Sequence, residues 1–138
     1  MMVVMARVLI SESHVEVRRL LQRMIRTLGH EPQLAEASPT AESLEGVGLL
    51  IVEVADPRGA LLAKTVQTLA PGLPILGVSV LESSQVDIAF HAFLRKPFSF
   101  EQLADAVEQA LARRRSATGD SSAGGSHAVG DVCGLDFG

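Results

Sequence analysis

Short apolar runs alternate with amphipathic stretches five times between residues 6 and 115, a succession that predicts a parallel β-sheet covered by helices. Arg7–Ile10 reads as a first strand. Val17, Leu20, Leu21, Met24, Ile25 and Leu28 then recur on one helical face, with Arg18, Arg19, Arg23 and Arg26 opposite and Gly29 as the stop. Residues 31–35 fit a second strand that Pro32 confines to a start or an edge. Ser38-Pro39 has the form of an N-cap followed by proline at the first helical position, predicting a short helix to about Glu45.

The run GLLIVEVADP at residues 48–57 reads as a strand buried on both faces, Leu49–Val54, interrupted by a carboxylate, Glu53, where it should surface. A helix is expected over Ala60–Leu69, and PILGVSV reads as a fourth strand ending near Ser79. ESSQVDIAF leaves room for only two or three helical turns before a short fifth strand, Ala92–Leu94. The last helix is signalled by the capping-box spacing of Ser99 and Gln102 and by Phe100, Leu103, Val107 and Leu111 on one face. In parallel α/β sheets reactive groups gather beyond the carboxyl ends of the central strands. The residues to weigh are therefore Ser11-Glu12-Ser13, Glu53, Ser79 and Lys96.

The 138-residue length suits one domain. Residues 116–138, rich in Gly, Ser and Ala, read as a flexible tail or linker after a domain at 1–115. No apolar run is long enough to cross a bilayer and the start lacks a signal-peptide pattern, so a soluble, cytoplasmic protein is expected. Cys133 is the single cysteine, and no Cys/His cluster has metal-ligand spacing. All 12 Lys and Arg residues precede residue 116 and are nearly balanced by acids there, which argues against a nucleic-acid surface. Arg113-Arg114-Arg115 reads as cations favoured at a helix C-terminus. No glycine-rich phosphate loop follows the first strand, and no nucleophile–base pair stands at workable spacing, so a small-ligand or nucleotide domain and an enzyme are the weaker readings.

Two acids, a small hydroxyl and a lysine at one edge of such a sheet resemble the receiver domain of bacterial response regulators. The resemblance covers residues 6–115 and rests on RVLISESHVEVRRLLQRMIRTLGHEP, on the terminal acid of the third strand with Pro57 four residues later, on PILGVSV, and on FLRKPFSFEQL with its Lys-Pro pair. It implies a flavodoxin-like fold with strand order 2-1-3-4-5 and helices on both faces. It also implies a phosphoryl switch, in which an aspartate ending the third strand accepts a phosphoryl group beside Mg2+ held by it and by two acids after the first strand. A hydroxyl and a lysine then grip the phosphate.

Against that pattern, Glu53 stands in place of the acceptor aspartate, and the acidic pair is reduced to Glu12 with Ser13 beside it. The metal site implied at Glu12 and Glu53 is correspondingly weak, and Mg2+ is expected only if the site is live. Ser79 and Lys96 are the retained phosphate-gripping equivalents, and Phe93 occupies the position of the switch aromatic. The interval from Ser79 to Lys96 is short for the family, implying a trimmed fourth helix on the usual output face.

One extra methylene carries the Glu53 carboxylate about 1.5 Å farther from the backbone than an aspartate would, within reach of Lys96 or Ser79. It is an imperfect phosphate mimic, because a phosphate carries roughly −1.5 to −2 charges and three acceptor oxygens. This suggests a pseudo-receiver that works by protein contact, with a sensor kinase, a downstream signalling protein or a second copy as partner. Two alternatives stay open. One is a phosphorylatable receiver, with Asp56 as the nearest other acceptor or His14 as a candidate phosphohistidine. The other is a structural pocket in which Glu12 and Lys96 satisfy one another while Glu53 is solvated at the rim.

Overall fold

A computed structural model describes residues 5–80 and 90–119, with side chains up to residue 112. The expected fourth helix falls almost wholly on residues 81–89, outside the described residues. The side chains of Arg113, Arg114 and Arg115, Cys133 and the tail beyond residue 119 lie outside them as well.

The elements run β1 (Arg7–Ser11), α1 (Val15–Thr27), β2 (Glu31–Leu34), β3 (Val47–Glu53), α2 (Pro57–Leu69), β4 (Ile75–Ser79), β5 (Ala92–Arg95) and α3 (Phe100–Gly119). The strands form one sheet in the order β2-β1-β3-β4-β5, parallel at every pairing. The central strands are apolar because both faces are covered. On one face Val8, Ile10, Leu49, Ile51, Leu76 and Val78 meet α1 and α3 through Leu21, Ile25, Leu103 and Val107. On the other, Leu9, Leu50, Val52 and Ile75 meet α2 through Leu62, Ala63 and Val66.

The helix ends follow from local chemistry. α1 closes where the Gly29 N–H donates to the Arg26 carbonyl and Gly29 adopts φ 91°, a left-handed conformation that costs glycine least. α3 opens on a reciprocal capping box: the Gln102 N–H donates to Ser99 Oγ at 3.0 Å and the Ser99 N–H donates to Gln102 Oε1 at 2.8 Å. α3 runs on to Gly119, past the boundary at residue 115 that the composition suggests.

Two expectations are corrected. The helix expected from Ser38 to Glu45 is a turn over residues 41–46, pinned by Thr40 and Ser43: each backbone N–H donates to the other's hydroxyl, at 2.9 and 3.1 Å. Val47 already opens β3, so the segment is too short to propagate a helix and anchors only Leu44 in the core. The helix expected to begin at Ala60 begins at Pro57, because Asp56 caps it by accepting from the Arg58 N–H at 3.0 Å and proline suits the first helical position.

Candidate functional site

The parallel register brings the carboxyl ends of β1, β3, β4 and β5 to one rim. Ser11 pairs with Val52, Glu53 with Val78, and Ser79 with Arg95. Glu12 follows β1, Glu53 ends β3, Ser79 ends β4, and Lys96 follows β5, its N–H donating to the Ser79 carbonyl at 2.8 Å. The Lys96-Pro97 peptide bond is cis.

Lys96 joins the two acids. Its ammonium donates to Glu12 Oε1 at 2.8 Å and to Glu53 Oε1 at 2.5 Å. Each carboxylate spends its second oxygen on the backbone just beyond its own strand. Glu12 Oε2 accepts from the His14 N–H at 3.1 Å, and Glu53 Oε2 accepts from the Ala55 N–H at 2.7 Å. The backbone partners at His14 and Ala55 are not visible in the residue pattern.

All three groups are largely withdrawn from water, with side-chain exposures of 1% for Glu12, 11% for Glu53 and 17% for Lys96. Glu53 is therefore not a solvated rim residue, as one sequence reading has it, and the lysine is shared rather than paired with Glu12 alone. Partial burial pulls the Lys96 ammonium toward deprotonation, but the hydrogen bonds and charges of Glu12 and Glu53 outweigh it and hold its pKa above the ordinary lysine value.

The end of β3 is fixed by close packing against the first turn of α2. A Cβ on Gly59 would lie 2.0 Å from the Glu53 carbonyl oxygen, so only glycine lets the helix approach so near. Among the other sequence candidates, Ser79 is fully buried, while Ser13 is exposed and no side-chain hydrogen bond joins it to the cluster. Phe93 is half-buried, packed over Gly77 and against Phe90 with ring centroids 5.5 Å apart. Asp56 is occupied as the α2 cap, and exposed His14 precedes α1 without a side-chain cap bond.

The donor set does not fit Mg2+. An octahedral ion wants several unshared oxygens, but only two carboxylates converge here and an ammonium lies between them. Among the described residues no group of three or more His, Cys, Asp or Glu side chains is placed to hold a metal ion.

Among solved structures, the chain is similar to NtrX from Brucella abortus in complex with ADP, with 21% identity and a TM-score of 0.71. That match spans 86% of this chain and 29% of NtrX, so the chain corresponds to under a third of that protein. It is also similar to a CheY-like response regulator receiver domain protein from Methanospirillum hungatei, with 18% identity and a TM-score of 0.69 over 82% of this chain and 98% of that one. The fold is that of a receiver domain.

The receiver domain of a sensor histidine kinase from Pseudomonas aeruginosa, solved with magnesium coordinated in its active-site cleft, matches at 16% identity and a TM-score of 0.68, over 79% of this chain and 99% of that one. No protein-family model and no curated protein matches the sequence. On the receiver fold, the rim that carries Glu12, Glu53, Ser79 and Lys96 is the carboxyl edge of the sheet. No described helix is long and apolar enough to cross a membrane.

Proposed function

We propose that this chain is an atypical receiver of bacterial signal transduction that acts by phosphorylation-independent protein–protein contact. The observation that carries the reading is the Lys96 ammonium bonded at once to Glu12 and Glu53. Phosphoryl transfer onto a carboxylate needs an unencumbered nucleophilic oxygen and a cation that neutralises the incoming charge. Here both Glu53 oxygens already accept hydrogen bonds, and the resident cation is neutralised by two acids.

The Glu53–Lys96 bond ties the end of β3 to the residue after β5 with no phosphoryl group between them. On this reading the pocket is set in one conformation, and the module signals by the surface that conformation presents. The recognition unit would extend through the end of α3 at Gly119, and residues 120–138 would form a linker. The partner would be a sensor kinase or a downstream signalling protein in the cytoplasm, with no nucleic acid bound and no reaction catalysed. Asp56 is a poor substitute acceptor, because its carboxylate holds the first turn of α2.

The test is an NMR titration of the labelled full chain with Mg2+ and beryllofluoride, a phosphoryl analogue. The Ser79 and Lys96 amide resonances are expected to stay in place, whereas saturable shifts at both would overturn the reading.

A further inference from the structure

α1 and α3 lie on the same face of the sheet and run back along it side by side in sense, because each follows a parallel strand. The core takes Leu21 and Ile25 from α1 and Leu103, Val107 and Ala110 from α3. On the side turned away from the core, a stripe of one sign stands out on each helix among the described residues, with the exposed Glu16 in the first turn of α1 as the one acid beside the basic stripe. On α1, Arg19, Arg23 and Arg26 are exposed at spacing i, i+4, i+7; on α3, Glu101, Asp105 and Glu108 are exposed at the same spacing. At 3.6 residues per turn each triplet fits within about 60° of arc and spans about 10 Å of helix.

None of the six forms an ion pair with a described residue. Like charges stacked at i, i+3 and i, i+4 repel within their own helix. The helix dipole accounts for Arg26 at the end of α1 and Glu101 at the start of α3, since it favours cations and anions at those termini. It does not account for Arg19, Arg23, Asp105 or Glu108, which lie too far from the matching terminus or nearer the opposing one. A polyanion such as nucleic acid would meet the acids of α3 beside the arginines of α1. The complement of this layer is a surface with one basic and one acidic stripe of equal length, and the chain itself carries that surface.

We infer that the α1–α3 layer is a self-association surface for a second copy of this chain, arranged about a two-fold axis parallel to the helices. Such an axis sets α1 of each copy on α3 of the other with the helices running in the same sense. It meets Arg19, Arg23 and Arg26 with Glu101, Asp105 and Glu108, and repeats the contact by symmetry. The interface is electrostatic and correspondingly weak and salt-sensitive. It leaves the Glu12–Lys96–Glu53 cluster outside the contact and does not depend on the signalling role proposed for it.

Sedimentation velocity of the full chain tests this with charge reversal. Wild type is expected to self-associate at about 0.05 M salt, with an apparent Kd that rises on the order of tenfold or more by about 0.5 M. The R19E/R23E/R26E variant and the E101K/D105K/E108K variant are each expected to be monomeric alone, because like stripes then face one another. Mixed, they are expected to form a one-to-one heterodimer, since both symmetry-related contacts regain opposite charges. The six side chains are exposed, and circular dichroism confirms that each variant is folded. A wild type that stays monomeric at low salt, a triple variant that still self-associates, or a mixture that does not pair would each overturn the inference.

Discussion

Lys96 Nζ lies 2.5 Å from Glu53 Oε1, joining the residue after the edge strand β5 to the last residue of the central strand β3, 43 positions apart in sequence. Glu12 shares the same ammonium. Lys96→Ala would leave two buried carboxylates facing one another without a counter-charge. Breaking a buried ion pair from one side costs about 3–5 kcal/mol, and the residual exposure of Lys96 places this case at or below the lower end. Glu53→Gln keeps an acceptor and leaves Glu12 on Lys96, so a loss of about 1 kcal/mol is expected. Urea denaturation of both variants checks the order.

The same cluster sets an alkaline limit. The folded pKa of Lys96 is raised, so its contribution is fully present below the unfolded value of 10.5 and is lost as pH rises through the folded value. Stability should fall above about pH 10.5 in the wild type, and that component should be absent from Lys96→Met. Thermal melts across this range compare the two.

At the opposite rim His30 works in the other direction. Its Nδ1 accepts the Ala6 N–H at 3.1 Å, which requires the neutral ring. Burial lowers its pKa and the charge of Glu108 only partly offsets this. The folded chain therefore resists a proton that the unfolded chain accepts. The contribution is complete above the unfolded value of 6.5 and declines as pH falls from there through the folded value. Denaturant midpoints at pH 7 and pH 5 should differ more for the wild type than for His30→Gln.

Gly59→Ala tests how β3 is fixed. In an unconstrained helix this substitution stabilises by roughly 0.4–1 kcal/mol. Here the added methyl would meet the Glu53 carbonyl at 2.0 Å, and backbone must move. A loss of about 1–3 kcal/mol is expected, so the sign of the change in urea midpoint decides.

Periodicity made α1 and α3 legible, because their apolar faces, the Gly29 stop and the Ser99–Gln102 box are all local signals. The buried strands were legible because both faces are covered and the runs are apolar throughout. Ser38-Pro39 misled because an N-cap pattern says nothing of how soon the next strand begins, and Val47 begins too soon. Asp56-Pro57, the true start of α2, reads in sequence as loop between the strand expected to end at Val54 and the helix expected from Ala60.

The convergence of Glu12, Glu53 and Lys96 followed from strand order, but its stoichiometry did not. Whether one ammonium serves one carboxylate or two depends on side-chain reach across the rim. Equally hidden were the two histidines that precede the edge strands. His30 and His91 each accept a backbone N–H, from Ala6 and from Ile75, and a lone histidine before a short strand carries no such message in sequence.

On the proposed reading, the Lys96 ammonium shared by Glu12 and Glu53 fills the pocket a phosphoryl group would otherwise use. Intact-mass spectrometry of the full chain after incubation with Mg2+ and acetyl phosphate addresses it most directly. The unmodified mass is expected at every time point; a stoichiometric, hydroxylamine-labile phosphoryl adduct on Glu53 or Asp56 would show the pocket open to phosphoryl transfer.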